Sequence, residues 1–427
     1  MSEALGKNDK SKARSYFRFL FKIKGLLILI AIIIILILAK PLSVNVFNKP
    51  LVFLPIVFSC FYILIDSARE YFSLPFAARK DLRIFPPLEL LIQSSKIILS
   101  LIAISIFSYE LRIPGIFIAF TLSGILFLSS ELFFLVKTDK ESFSGPIVKI
   151  NKKKIIKYMG FMGLTGITLA FFSSIDTLML GRFVDAEYLG FYRAALTLVI
   201  SISSLLPFSG VLLPIFTQIH GKRLYHGFEK SLRYFIMLSI PMVVGLMFIA
   251  KYAIFYIYGK EYLLATSSLF VLSFLILISP LISLYSTLFQ AKEKPKLLVK
   301  FVIISLVLNI ILNYILIKIL LTISQEYAVL GAGVAILISN LFLLGILISK
   351  TKSQFKIKIN KNPILKSILA TGIMALFLVI FKNLIDISII SGTVMIFLAV
   401  IVYFSFMFLI KGLVKEDLSL LKNLFRR

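Results

Sequence analysis

Long apolar segments alternate with short, charge-bearing segments along the entire chain. Each apolar segment has about the length at which a helix, rising 1.5 Å per residue, crosses a hydrocarbon core about 30 Å thick. Windows bounded by charges, Gly and Pro predict twelve spans, at 23–39, 51–65, 88–109, 113–136, 155–180, 190–216, 232–249, 264–289, 297–321, 329–348, 364–381 and 387–410. The pattern therefore predicts an all-α polytopic membrane protein with about 12 transmembrane helices.

The Lys and Arg residues between these spans are distributed unequally. If the loops alternate sides, 37 of the 47 Lys and Arg residues fall on the side of the N-terminus and 8 on the other, while Lys96 and Arg193 lie within spans. Cytoplasmic loops carry the excess of Lys and Arg in membrane proteins. We therefore expect a multi-pass protein of the cell membrane with both termini in the cytoplasm. The outer loops are short, so we expect no extracellular domain.

The amino-acid composition indicates which kind of partner this chain binds. Apolar residues make up 59% of the chain and its mean hydropathy is +1.00, which is more than a water-soluble surface hides. The net charge of +27 sits in short loops rather than on one soluble face, so the expected partner is the lipid bilayer and not nucleic acid. Lys40 and Pro41 follow the first apolar run, so we expect no cleavable signal peptide.

The chain offers few residues for metal or covalent chemistry. Its single Cys, Cys60, excludes an intramolecular disulfide, and with only two His, a metal site built from these residue types is not expected. Membrane enzymes that act on lipid-linked sugars need acidic metal-binding pairs or a large outer domain, whereas the first outer loop, KPLSVNVFNKP, contains no acid. We expect a transporter rather than an enzyme, with no cofactor and no metal.

A polar stripe marks the third span. Glu89, Gln93, Lys96 and Ser100 recur every three or four residues and share one helix face, which we expect to meet a wet cavity or another helix rather than lipid. Lys96 has two interpretations. It snorkels to the interface, or it supplies a cation for a diphosphate or an acidic sugar.

Asp176 and Arg193 flank the short outer turn GRFVDAEY at matched distances along two antiparallel helices. An unpaired charge at this depth costs several kcal/mol, so we expect the two side chains to contact each other. A structural ion pair and a cavity-lining site for substrate or a coupling ion both remain open.

Amides in later spans are further candidates for the substrate path. Asn309 and Asn313 are four residues apart on the ninth span, and Asn340 lies on the tenth. Hydrogen bonds between helices are the alternative role for all three. Glu131, near the cytoplasmic end of the fourth span, is predicted to be interfacial.

Three segments resemble a known family. They are SSIDTLMLGRFVDAEYLGFYRAALTLV at 173–199, LFQAKEKPKLLVKFVIISLVLNIILNYILI at 288–317 and YAVLGAGVAILISNLF at 327–342. The first resembles a hairpin of the polysaccharide and oligosaccharidyl-lipid flippases of the multidrug/oligosaccharidyl-lipid/polysaccharide (MATE-like) exporter superfamily. The matching residues are Asp176, Gly181, Gly190, Tyr192 and Ala195.

The resemblance implies a MATE-like two-lobed bundle that alternates between faces and flips a lipid-linked glycan, a polyprenyl-diphosphate sugar. The family's hairpin begins each lobe, yet here it forms the fifth and sixth spans, so the N-terminal lobe is expected to be shortened by the first two helices. The expected organisation is a basic cytoplasmic leader at 1–22, an N-terminal lobe of four helices at 23–150, a second lobe of six at 151–350, two C-terminal helices at 351–412 and a cytoplasmic tail at 413–427.

Two other functions remain open. A cation-coupled multidrug exporter needs an acid in its first lobe, where Asp66, Glu89 and Glu131 are available. A non-transporting membrane scaffold of a glycan-assembly complex is compatible with a shortened lobe, and it would have glycan-assembly enzymes as partners.

Overall fold

The structure is a computed structural model that describes residues 9–79, 85–138, 148–206, 209–219, 221–292, 294–355, 362–384 and 388–412. These residues form helices and contain no β-strand. In chain order the α-helices are α1 (Lys10–Pro41), α2 (Phe53–Arg79), α3 (Phe85–Ile106), α4 (Arg112–Thr138), α5 (Lys152–Phe183), α6 (Ala186–Ser203), α7 (Ser209–Gln218), α8 (Gly221–Tyr258), α9 (Ala265–Leu272), α10 (Leu275–Ala291), α11 (Pro295–Leu321), α12 (Gln325–Phe355), α13 (Asn362–Leu384) and α14 (Ile389–Leu409).

Each of the twelve predicted spans coincides with one helix or with a broken pair. Among the described residues, nine helices are long and apolar enough to cross a membrane, or ten if the bent pair Lys260–Leu272 and Leu275–Ala291 forms one span. The prediction of an all-α polytopic membrane protein is confirmed. The sixth and eighth predicted spans are wrong as single helices, because the sixth divides into α6 and α7 and the eighth bends by 43° between α9 and α10.

The chain divides into two compact units, Met1–Gly160 and Phe161–Arg427. In the first unit α2, α3 and α4 pack together, and α1 packs on α2. A Cβ atom at Gly124 of α4 would lie 2.8 Å from a methyl carbon of Ile65, so the missing side chain lets α2 and α4 approach closely. Helix α1 leaves Leu26, Leu29 and Ile33 exposed, as expected of a face that meets lipid.

The second unit is built around α8, α10, α11 and α12. The closest packing joins α11 and α12, where a Cβ atom at Gly331 would lie 3.1 Å from the carbonyl oxygen of Leu316. The hairpin of α13 and α14 packs on α8 through Met237, Met374 and Tyr403.

A proline connects this hairpin to α8. Pro241 lies inside α8 and lacks the N–H that would otherwise bond to the carbonyl of Met237, four residues earlier. The hydroxyl of Tyr403, on α14, donates to that carbonyl at 2.6 Å. The free acceptor is therefore satisfied by a neighbouring helix, as buried backbone groups in lipid require.

Candidate functional site

In the first unit Lys96 lies among aromatic side chains of α2 and α4. Its ammonium nitrogen donates to the hydroxyl of Tyr62 at 3.3 Å and lies 5.1 Å from the ring centroid of Tyr62 and 5.4 Å from that of Phe120. Cations are attracted to ring faces at these distances. Because Lys96 has no carboxylate partner among the described residues, its charge stays available to an anion.

An ionic cluster centred on Arg69 of α2 lies one to two helical turns from Tyr62, along the same interface. The guanidinium is 3.1 Å from Asp66 and 3.5 Å from Glu89, and it lies 5.2 Å from the ring centroid of Phe127. Gln93 is exposed and donates to Glu89 at 2.7 Å. The polar stripe of α3 therefore meets another helix, α2, through Glu89 and Lys96.

Glu131 of α4 is buried, with 1% of its surface exposed. Neither carboxylate oxygen has a hydrogen-bond partner, and Arg69 is its nearby positive charge. The prediction that Glu131 lies at the membrane interface stays a prediction, and its burial among the helices was not expected, because position along a helix does not fix the face that a side chain occupies.

A cavity of about 430 Å³ lies within the second unit. It is bounded by α5, α10, α11 and α12. Eight apolar side chains make up most of its lining, and six hydroxyl or amide side chains, for which we call it the polar cavity, complete it: Thr168, Ser173, Ser279, Ser286, Gln290 and Asn340. None of the described residues that line it is charged. The cavity therefore offers hydrogen-bond donors and acceptors without a fixed charge.

Asp176 and Arg193 do not form the expected ion pair in this structure. Asp176 is fully buried and accepts a hydrogen bond from the hydroxyl of Tyr192, whereas Arg193 is exposed. The sequence placed the two residues at matched positions along their helices but did not give the faces on which their side chains lie. Successive helical residues point about 100° apart, so when Tyr192 faces the core its neighbour Arg193 faces outward.

The three candidate asparagines bond within their own helices. The amide nitrogen of Asn313 donates to the backbone carbonyl of Asn309 at 3.0 Å and to its side-chain oxygen at 3.2 Å, and Asn340 donates to Ile336 at 2.8 Å. The expected bonds between helices are absent for these described side chains, because a carbonyl one turn back is already within reach. Asn340 lines the polar cavity, but Asn309 and Asn313 do not.

Sequence reasoning missed Arg69 and Gln290. Arg69 follows Tyr62 by seven residues, so the two share a helix face, and that spacing was a usable signal. Gln290 directly follows the eighth predicted span, in the segment that resembles the family, and was given no role. Ser279, Ser286 and Gln290 recur at spacings of seven and four residues along α10 and share a helix face, so this spacing was also a usable signal.

Residues 1–267 match the family described as polysaccharide biosynthesis protein. The chain belongs to this family. A comparison with curated protein sequences gives no match.

The fold of this polysaccharide biosynthesis family member is shared with solved transporters. The Lipid II flippase MurJ in an inward closed conformation aligns with a TM-score of 0.62 and 17% identity, over 94% of this chain and 83% of that one. An inward-facing multidrug resistance MATE family transporter of the MOP superfamily aligns with a TM-score of 0.65 and 14% identity, over 83% and 84%. The Vibrio cholerae MATE transporter VcmN in its bent form gives 0.53 and 16%, over 82% and 83%. The expected MATE-like fold is confirmed.

Proposed function

We propose that this protein flips a lipid-linked oligosaccharide or polysaccharide precursor across the cytoplasmic membrane by alternating access. Its family is described by polysaccharide biosynthesis, and its fold is shared with a protein named as a lipid II flippase. Both point to a lipid-linked glycan as cargo. The bilayer is the second partner.

The polar cavity of the second unit is the observation that carries the proposal. Its volume of about 430 Å³ falls in the range of small-ligand sites, roughly 300–1,000 Å³. Sugar rings present many hydroxyl groups that both donate and accept, and a lining of Ser, Thr, Asn and Gln matches that chemistry. A cationic drug would favour an acidic lining, and the described residues that line this cavity include no acid.

The diphosphate of such a cargo needs a cation. Lys96 supplies one in the first unit, held on two aromatic rings with no described carboxylate beside it. A charge-assisted contact of an ammonium with phosphate is stronger than a neutral hydrogen bond.

Reconstitution of the full chain in liposomes tests the proposal. A labelled lipid-linked glycan is placed in the membrane, and its exposure to a probe on the far side is followed over time. We expect the double variant Ser286→Ala/Gln290→Ala to lower the rate at least tenfold, because two cavity groups are lost. The matched pair Ser283→Ala/Gln218→Ala, on α10 and α7 but outside the cavity lining, should keep the wild-type rate. Equal rates for wild type and empty liposomes would refute flipping.

A cation-coupled multidrug exporter is the second candidate, and Glu131 favours it. A buried carboxylate in the first unit, with both oxygens unpartnered, is the kind of intramembrane acid that binds a proton or sodium ion. The same liposomes separate the two functions. A cationic dye moved in response to a proton or sodium gradient, with that movement lost in Glu131→Gln, would favour the exporter.

A further inference from the structure

A basic cleft of about 690 Å³ opens at the start of the first unit. It lies between the first turns of α1 and the segment 148–152 that leads into α5. Its described lining includes four cationic side chains, Arg18, Lys22, Lys149 and Lys152, together with Ser15 and Phe19, and none of these described residues carries a carboxylate. This site is separate from the Lys96 site and from the polar cavity, and the inference does not depend on the proposed function.

The two walls of the cleft are joined by specific contacts. The backbone N–H of Val148 donates to the hydroxyl oxygen of Ser15 at 2.8 Å, although the two residues are 133 positions apart. The ammonium of Lys152 lies 5.8 Å from the ring centroid of Phe19. These contacts hold Lys149 and Lys152 opposite the cations of α1.

The opposite face of α1 is fixed by α2. Phe17 is buried and packs against Tyr71 in a tilted arrangement with ring centroids 4.8 Å apart, and the hydroxyl of Tyr71 donates to the backbone carbonyl of Phe17. This packing sets the rotation of α1. Since Ser15, Phe19 and Lys22 follow one another at spacings of three or four residues, they share the face turned to the cleft.

Three cations of the cleft have no described acid as a partner. Lys22, Lys149 and Lys152 are exposed and form no ion pair with a described carboxylate. Two acids on or beside α1 have other partners among the described residues, because Glu70 pairs with Lys24 at 3.3 Å and Asp9 accepts the backbone N–H of Lys12. Like charges so close together favour an anion between them.

The cleft begins at the depth of lipid headgroups and extends toward the water. Helix α1 has 32 residues and is therefore about 48 Å long, well over a hydrocarbon core of about 30 Å. Its apolar run starts at Gly25, so Lys22 and Arg18 precede the core by about 4.5 and 10.5 Å. The headgroup layer is roughly 6 Å deep on each side, so Lys22 lies within it and Arg18 lies just outside it, where its long side chain can reach a headgroup phosphate. The exposed apolar residues Leu26 and Leu29 follow directly.

We infer that this cleft binds the phosphate headgroup of an anionic phospholipid, with the acyl chains lying along the exposed apolar face of α1. Depth and neighbouring apolar surface favour a lipid over a soluble anion. Basic clusters next to a membrane attract anionic lipids, and a cleft with cations on both walls would hold the headgroup in one position.

The test uses the full-length protein in nanodiscs of phosphatidylcholine with a minor fraction of phosphatidylglycerol. Native mass spectrometry counts the phosphatidylglycerol that stays bound after release from the disc. Lys22→Gln/Lys149→Gln/Lys152→Gln should lower retention at least fivefold. The corresponding Lys→Arg triple variant should restore it, because charge is kept.

A matched control removes three exposed lysines from the second unit, by Lys222→Gln/Lys296→Gln/Lys300→Gln. It should retain lipid like the wild type. Equal losses in both triple variants would mean general attraction to charge and would overturn the site, as would undiminished retention in the cleft variant. Displacement of the lipid by millimolar inorganic phosphate would assign the cleft to a free anion instead.

Discussion

The Lys96 ammonium lies between the rings of Tyr62 and Phe120, and this arrangement has a consequence for anion binding. Aromatic faces stabilise a cation by about 0.5–2 kcal/mol without neutralising it. A carboxylate in the same place would compete with any incoming phosphate. Lys96 is therefore positioned to bind an anion, and its removal should lower the transport rate more than the stability of the fold.

We predict that Lys96→Ala lowers the rate of glycan flipping by at least tenfold, which corresponds to about 1.4 kcal/mol. Lys96→Arg should retain part of the rate, since the charge survives but its shape changes. The liposome assay measures the rate, and size-exclusion profiles report folding. Lys318→Ala is the control, because Lys318 also lies over two rings, 5.2 Å from Tyr314 and 6.0 Å from Phe183. A wild-type rate in Lys96→Ala would assign the residue to packing alone.

Single residues also show what a sequence does not reveal. The hydropathy pattern placed Asp176, Lys96 and Asn340 inside predicted spans, because charged and amide groups are easily recognised in apolar segments. It did not reveal that Tyr192 rather than Arg193 meets Asp176. One residue changes the direction of a side chain by about 100°, and hydropathy carries no information about that direction.

Helices follow from sequence more readily, because a long apolar run leaves the backbone in lipid few alternatives to helical hydrogen bonding. All twelve predicted spans coincide with helical segments. The two interruptions, between α6 and α7 and between α9 and α10, were missed because the apolar run continues through each break. The sequence also did not reveal which pairs of helices approach each other closely.

Gly331 gives a test of that approach. We predict that Gly331→Ala destabilises the protein by about 1–3 kcal/mol, because the new methyl would sit 2.9 Å from Leu320 and 3.1 Å from the carbonyl oxygen of Leu316. Thermal unfolding in detergent measures the effect. Gly345→Ala, on the same helix with nothing within 4 Å of its Cβ position, should be neutral or stabilising, since Ala is the better helix former. Equal shifts in both variants would contradict the packing argument.

Over the whole molecule, the distribution of charge makes the most specific prediction. With 37 of 47 Lys and Arg residues on one side, reporters fused after Ser142 and after Lys358 should read cytoplasmic, and one fused after Asp185 should read external. Ser142 and Lys358 lie outside the described residues, so the fusion experiment supplies what the structure leaves open. A reversed reading at any of the three positions would disprove the orientation.

The family and fold could be anticipated from the hairpin around Asp176 and the count of spans, since both follow from local patterns. The polar cavity could not, because its lining comes from four helices that are distant in sequence. The basic cleft likewise combines residues more than 120 positions apart. Sites built by tertiary packing appear only when the helices have assembled.

The bond from Tyr403 to Met237 has a consequence for how the protein is made. Its partners are 166 residues apart, so at about 5–20 residues per second the ribosome needs roughly ten to thirty seconds to reach Tyr403 after completing Met237. During that interval α8 is in the membrane with a carbonyl that Pro241 cannot satisfy. Docking of α14 ends this exposure, so the hydrogen bonding of α8 is completed only by a side chain synthesised 166 residues later.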